Sequence, residues 1–130
     1  DKIIIDDYAH HPTEIESVLN TINSNYKNKS TSVIFQPHLF SRTRDFMEDF
    51  ATVLSKFDEV YLLEIYPARE KPIEGVSSKV LLEKISSEKK EIINKELIND
   101  IIINSKTEVI SILGAGNITE NLNKKIFTND

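Results

Sequence analysis

Apolar runs rich in β-branched residues alternate along this chain with stretches of helical periodicity, and this alternation constrains the fold most strongly. The runs with strand character are Lys2–Ile5, Val33–Phe35, Val60–Ile65 and Val109–Leu113. Short apolar runs of this kind are typical of buried strands. Strands that are separated by helices form a mostly parallel sheet with helices on both faces. The sequence therefore predicts an α/β fold with about five to six strands.

The helices are indicated by apolar stripes and by residues that favour helix starts. Pro12 suits the first position of the first helix, and Ser41 is the expected N-cap of the second. A short edge strand is expected near Ile92–Ile93, after a polar surface turn over Lys84–Lys90. The predicted helices are Pro12–Tyr26, Ser41–Phe57, Ser77–Ile85, Leu97–Ile103 and Ile118–Ile126.

Length and composition limit the class of protein. The chain has 130 residues, which suits one domain over residues 1–130. A formal net charge of −5 argues against general nucleic-acid binding. The absence of cysteine excludes disulfides and thiolate sites. No transmembrane run or signal peptide is present, which favours a cytoplasmic protein, and the lack of an initiating Met indicates a piece of a longer chain.

Polar segments follow four of the predicted strands. They are Asp6–His11, Pro37–Arg44, Tyr66–Lys71 and Gly114–Asn117. In a parallel sheet these segments share the edge where ligands bind. All three histidines lie in them, and Arg42 and Arg44 follow His38 closely. Because guanidinium groups bind carboxylate or phosphate in a fork geometry, this loop is a candidate anion site.

Structural roles are open for several of these residues. Asp6 or Asp7 could cap a turn, or could accept hydrogen bonds from a ribose diol. His10 and His11 could cap and pack, and adjacent residues form a poor metal-binding pair.

Two further segments also allow a structural explanation. Gly114–Gly116 lacks the other residues of a phosphate loop and is expected to let the last helix start close to the sheet. Arg69 and Lys71 are expected to pair with Glu70 and Glu74 as surface charge.

Four motifs in this order and spacing resemble the C-terminal domain of the Mur ligases. The resemblance covers essentially the whole chain, and its first two motifs together are highly specific. The motifs are Asp6–Glu14, Phe35–His38 with Ser41–Thr43, Ile65–Glu70 with Gly75–Val76, and Leu113–Gly116.

The resemblance implies an ATP-dependent amide ligase of peptidoglycan synthesis that joins L-alanine to UDP-N-acetylmuramate. In this family ATP phosphorylates the muramate carboxylate, and the amine of L-alanine attacks the acyl phosphate. The first domain binds the UDP sugar, and the central domain holds the phosphate loop and the Mg²⁺ ligands. The third domain, which this chain resembles, has a Rossmann-like fold and closes over the site. The implied partners are the substrates and the other two domains, with no nucleic acid and no membrane.

The resemblance also implies roles for individual residues. Asp7 would contact the ATP ribose. Tyr8, His10, His38 and Arg42 would face L-alanine and the reacting carboxylate, with Arg42 the best candidate for the alanine carboxylate.

Two positions depart from the family pattern. Leu39 stands where some members have a basic residue, and Asn117 stands where many have Asp.

Two other functions remain open on sequence. A sister ligase that adds a preformed peptide to the same sugar acid would share these motifs. A non-catalytic Rossmann-like module that binds a nucleotide or a protein partner would share the fold.

Overall fold

The computed structural model describes residues 2–114 and 118 and contains one five-stranded sheet. The strands are β1 (Ile3–Asp7), β2 (Thr31–Phe35), β3 (Glu59–Leu62), β4 (Lys89–Ile92) and β5 (Val109–Leu113). The helices are α1 (Pro12–Asn25), α2 (Phe40–Asp45), α3 (Met47–Leu54), α4 (Ser78–Glu83) and α5 (Ile98–Asn104), with a 3₁₀ turn at Lys95–Leu97. No helix in the described ranges is long and apolar enough to cross a bilayer.

All neighbouring strands in the sheet are parallel, in the order β1-β5-β2-β3-β4. Their last residues are in register: Asp7 lies opposite Leu113, Leu113 opposite Phe35, and Phe35 opposite Leu62. The segments that follow four strands therefore leave the sheet along one edge. This arrangement confirms the predicted mostly parallel α/β fold.

The core has two layers because successive side chains of a strand point to opposite faces of the sheet. Val33 and Phe35 belong to the layer packed against α1, α3 and α4. Ile34 and Ile112 belong to the opposite layer, which contains Ile98 and Ile102 of α5. Helices thus cover both faces, as predicted.

The start of α1 is fixed by a reciprocal set of hydrogen bonds. Pro12 occupies the first turn, as predicted, and His11 is the N-cap. The Thr13 N–H donates to Nδ1 of His11 at 3.3 Å, and the His11 N–H donates to Oε1 of Glu14 at 3.1 Å. Such a capping box satisfies backbone donors that have no partner inside the helix. It also fixes the direction in which the loop leaves β1.

The helix predicted over Ser41–Phe57 is two helices, α2 and α3. Phe46 separates them with φ −117° and ψ 22°. Its N–H donates to the Arg42 carbonyl at 3.0 Å, and its carbonyl accepts from the Phe50 N–H at 2.8 Å. Phe46 thus ends α2 and begins α3. The apolar periodicity continues across it, so the sequence pattern does not reveal the break.

The expectation that Ser41 caps this helix is wrong. Leu39 is the N-cap, with φ 74°, and it makes no side-chain capping bond. Its carbonyl instead accepts from the backbone N–H and the hydroxyl of Thr43, at 3.1 and 2.8 Å. Ser41 is the second residue of α2, and its hydroxyl donates to Glu70.

The edge strand β4 begins earlier than predicted, because Lys89 and Lys90 belong to it and not to the polar turn before it. Exposed charged residues are common on edge strands, where they oppose pairing with other chains. The charge of this segment hides its strand character. The last predicted helix, apart from Ile118, and Ala115–Asn117 lie outside the described residues.

Gly114 provides a test of how closely the strand ends approach each other. Its φ is +150°, and an added Cβ would lie 3.2 Å from the Gln36 carbonyl oxygen. We expect Gly114→Ala to lower the free energy of unfolding by about 2–3 kcal/mol. Gly75 (φ +80°) has open space around it, so Gly75→Ala is the matched control and should cost about 1 kcal/mol. Urea denaturation of this chain measures both, and equal losses would contradict the close approach.

Candidate functional site

Two of the loops at the carboxyl edge of the sheet are joined by backbone hydrogen bonds. His38 and Tyr66 form an isolated parallel bridge beyond the ends of β2 and β3. The Leu39 N–H donates to the Tyr66 carbonyl, and the Tyr66 N–H donates to the Pro37 carbonyl, each at 2.8 Å. The loop that carries His38 is therefore fixed against the loop that follows β3.

The three histidines divide into two groups. The His10 and His38 rings meet edge to face with centroids 6.1 Å apart, and His38 stacks on Tyr66 at 5.4 Å. His11 instead packs on Phe46 at 4.6 Å and caps α1. His10 and His11 thus point apart, as expected. Within the described residues no group of three metal-binding side chains occurs.

Buried polar atoms without hydrogen-bond partners cluster at this edge. Among the described residues four side chains carry such an atom, and three of the four atoms are Gln36 Oε1, His38 Nδ1 and Arg42 Nη1. The fourth, Ser111 Oγ, lies in β5, between β1 and β2. An unsatisfied buried polar atom costs about 1–3 kcal/mol, so a concentration of them indicates a ligand position.

The Arg42 guanidinium lies close enough to His38 to affect its protonation. The pKa of His38 is lowered from its ordinary value, first by burial, then by the positive charges of Arg42 and His10, and Glu70 opposes the shift. A neutral imidazole at neutral pH can accept a proton, while the guanidinium stays positive. The structure thus brings His10, His38 and Arg42 together, as predicted.

Arg44 does not belong to this cluster. It is exposed, and its Nε donates to Oδ1 of Asp45 at 2.9 Å. The sequence predicted an anion site that contains both arginines, but only Arg42 lies beside His38.

Asp7 and Tyr8 line a neighbouring open groove of about 350 Å³, together with His10 and the facing side of α1. Oδ1 of Asp7 accepts from the Ala9 N–H at 2.8 Å, which confirms a turn-capping role. The Tyr8 side chain is 75% exposed, and its carbonyl accepts from Nδ1 of His10 at 2.7 Å. His10 therefore lies between the groove and the His38–Arg42 pair.

Glu70 is a site residue that sequence reasoning assigned to surface charge. Its Oε1 accepts from the Ser41 N–H at 3.0 Å, and its Oε2 accepts from the Ser41 hydroxyl. These bonds lower the pKa of Glu70. The expected pairing of Glu70 with Arg69 or Lys71 does not occur among the described ion pairs. The available signal was the inclusion of Glu70 in the third motif.

The coupling between Arg42 and His38 gives a pH-dependent prediction. The folded pKa of His38 lies below the ordinary 6.5, so the unfolded chain binds the proton more readily. Its contribution to stability is complete above pH 6.5 and is lost as pH falls towards the folded pKa. We expect Arg42→Ala to raise the His38 pKa in an NMR titration of this chain, and Arg44→Ala, the control, to leave it unchanged. Equal titrations in all three proteins would contradict the electrostatic effect of Arg42 on His38.

Comparisons with known proteins agree with the motifs. The chain is 55% identical over 122 residues to UDP-N-acetylmuramate–L-alanine ligase of Christiangramia forsetii, covering 94% of this chain and 27% of that protein. It is 49% identical over 118 residues to the ligase of the same name from Flavobacterium psychrophilum, covering 91% and 26%. The chain thus spans about a quarter of the length of these curated relatives.

A solved structure shows the same fold. The crystal structure of the UDP-N-acetylmuramate-alanine ligase from Thermotoga maritima matches with a TM-score of 0.67 and 28% identity, covering 90% of this chain and 24% of that one. The family profile described as "Mur ligase, glutamate ligase domain" matches residues 1–116. The resemblance noted from the motifs is thereby confirmed: the chain belongs to the Mur ligase family and corresponds to its C-terminal, glutamate ligase domain.

Proposed function

We propose that this chain is the amino-acid-binding domain of an ATP-dependent ligase that joins L-alanine to UDP-N-acetylmuramate. The observation that carries the proposal is the buried, unpartnered Nη1 of Arg42 beside His38. The names of the relatives supply the reaction. The reaction belongs to peptidoglycan synthesis, and we place it in the cytoplasm, where ATP is available.

Arg42 would hold the carboxylate of L-alanine. A guanidinium offers parallel N–H donors that match the two oxygens of a carboxylate. Nη1 is buried and lacks an acceptor among the described residues, so the ligand would satisfy a donor that is otherwise unpaired there. The fixed position of the carboxylate would orient the amine of the amino acid towards the reacting carbonyl.

His38 would receive a proton from the incoming amino acid. The ammonium group of L-alanine must lose a proton before its nitrogen attacks. The electron pair of the broken N–H bond stays on the nitrogen and becomes the lone pair that attacks. The lowered pKa of His38 keeps the imidazole neutral, and Nδ1 is buried with no partner within residues 2–114. In the tautomer protonated on Nε2, this atom is an acceptor. His10, in ring contact with His38, would keep the imidazole oriented.

Asp7 would contribute to the nucleotide side of the site, whereas Tyr8, which lines the same groove, would face L-alanine and the reacting carboxylate. The groove that they line runs along α1. Since Oδ1 of Asp7 is held by the Ala9 N–H, the carboxylate is oriented and its Oδ2 can accept from a ribose hydroxyl. As the family resemblance implies, Mg²⁺ would be bound by the central domain, where it would supply charge stabilisation at the transferred phosphoryl group.

Arg42→Ala in the full-length protein tests the proposed carboxylate contact. We expect the KM for L-alanine to rise about 30- to 100-fold, because a charge-assisted bond is lost. The KM for ATP should stay nearly unchanged. ADP release at varied concentrations of each substrate measures both values. Arg44→Ala removes an exposed guanidinium two residues away and should leave both KM values unchanged, whereas an unchanged alanine KM in Arg42→Ala would contradict the assignment.

The isolated chain should not catalyse the reaction. Amide ligation through an acyl phosphate needs phosphate-binding charge and Mg²⁺, which we assign to the other domains. We expect no ADP release from this chain with UDP-N-acetylmuramate, L-alanine and ATP, and turnover by it would contradict that division of labour. The same assay on the full-length protein, with L-alanine compared with a tripeptide, separates the proposed activity from that of a peptide-adding ligase.

A further inference from the structure

Arg42 lies in a helix whose N-terminus has no cap of its own. The helix α2 has six residues, and Leu39 at its N-cap position makes no side-chain hydrogen bond. The Leu39 backbone also has φ 74°, which is strained for a residue with a Cβ. A strained conformation persists only when neighbouring groups hold it. The orientation of Arg42 therefore depends on contacts from outside α2.

Glu70 supplies the missing acceptors from the loop after β3. Both of its carboxylate oxygens are used: Oε1 accepts from the Ser41 N–H at 3.0 Å, and Oε2 accepts from the Ser41 hydroxyl. Ser41 directly precedes Arg42. A carboxylate at the first turn of a helix satisfies free N–H groups and interacts favourably with the helix dipole.

The same loop holds the other end of the segment. Tyr66 exchanges backbone hydrogen bonds with Pro37 and Leu39, and its ring stacks on His38. The loop from Tyr66 to Glu70 therefore fixes the segment on both sides of the strained Leu39. We infer that Glu70 is a positioning residue, which holds α2 so that the Arg42 guanidinium meets the carboxylate of the amino-acid substrate. This inference rests on the proposed function of Arg42.

The sign of the effect separates positioning from simple electrostatics. Glu70 is negative and lies near enough to influence both His38 and Arg44. If its charge alone mattered, its removal would favour a bound carboxylate and lower the KM for L-alanine. If Glu70 positions Arg42, its removal raises that KM, although a negative charge has been lost.

The experiment uses the full-length enzyme with five variants: Glu70→Ala, Glu70→Gln, Ser41→Ala, the double variant Ser41→Ala with Glu70→Ala, and the control Glu74→Ala. Glu74 is exposed on the same loop, and its side chain makes no hydrogen bond or ion pair within the described part of the chain, so its variant changes the charge without touching α2. Each protein is assayed for KM and kcat with L-alanine by ADP release. Amide hydrogen exchange over residues 38–46 is measured by mass spectrometry.

We expect Glu70→Ala to raise the KM for L-alanine about tenfold, with a smaller change in kcat and faster exchange over residues 38–46. Glu70→Gln should lie closer to wild type, because its carbonyl still accepts from the Ser41 N–H and its amide can donate to the hydroxyl. Ser41→Ala should raise the KM less than Glu70→Ala, and adding it to Glu70→Ala should change little further. Glu74→Ala should match wild type in both measurements.

An unchanged or lowered KM in Glu70→Ala would overturn the inference, as would unchanged exchange over residues 38–46. A KM raised equally in Glu74→Ala would overturn it too, because the effect would then follow loop charge. These results differ from failure of the proposed function, in which the wild-type enzyme releases no ADP in response to L-alanine. In that case amide hydrogen exchange over residues 38–46, compared between wild type and Glu70→Ala, still tests whether Glu70 holds α2.

Discussion

The site depends on the parallel register of the four strands that end at one edge of the sheet. Asp7, Leu113, Phe35 and Leu62 lie side by side, so chain segments far apart in sequence leave the sheet at the same level. The hydrophobic layers on both faces fix this register, because a slip by one residue would move every strand side chain to the opposite face. Packing of the core thus determines where the polar loops meet.

The polar loops at this edge contain buried groups that lower the stability of the folded chain. His38 Nδ1 and Arg42 Nη1 are buried and have no hydrogen-bond partner in the part of the chain that the structure describes, although hydrogen bonds and ring contacts hold the surrounding backbone and side chains. A fold selected for stability alone would not retain such groups. These unpaired atoms are explained if a ligand with both acceptor and donor groups forms hydrogen bonds with them. An amino acid offers a carboxylate for Arg42 and an ammonium group for His38.

The sequence could predict the fold because its local and global signals agree. Apolar runs, the Pro12 helix start and the amphipathic stripe of α1 all indicate alternating strands and helices, and the structure confirms this. The break at Phe46 was hidden because both flanking helices continue one apolar stripe. The early start of β4 was hidden because its residues are charged.

The candidate site could be predicted only in part. Strand ends indicate which loops meet, and this correctly placed His10, His38 and Arg42 together. The separation of Arg44 and the capping role of Glu70 depend on tertiary geometry: the strained backbone at Leu39 turns α2, and only then does the Ser41 N–H face the loop after β3. Residue type and periodicity do not encode that encounter, and the inclusion of Glu70 in the third motif was the available signal for it.

The central claim is that Arg42 binds the carboxylate of the amino-acid substrate. The most direct measurement is a crystal structure of the full-length protein with UDP-N-acetylmuramate, L-alanine and a non-hydrolysable ATP analogue. The account predicts that a carboxylate oxygen of L-alanine lies about 3 Å from Nη1 of Arg42, with the amino group directed towards His38. L-alanine bound by other residues, with the Arg42 guanidinium paired to a protein carboxylate, would contradict it.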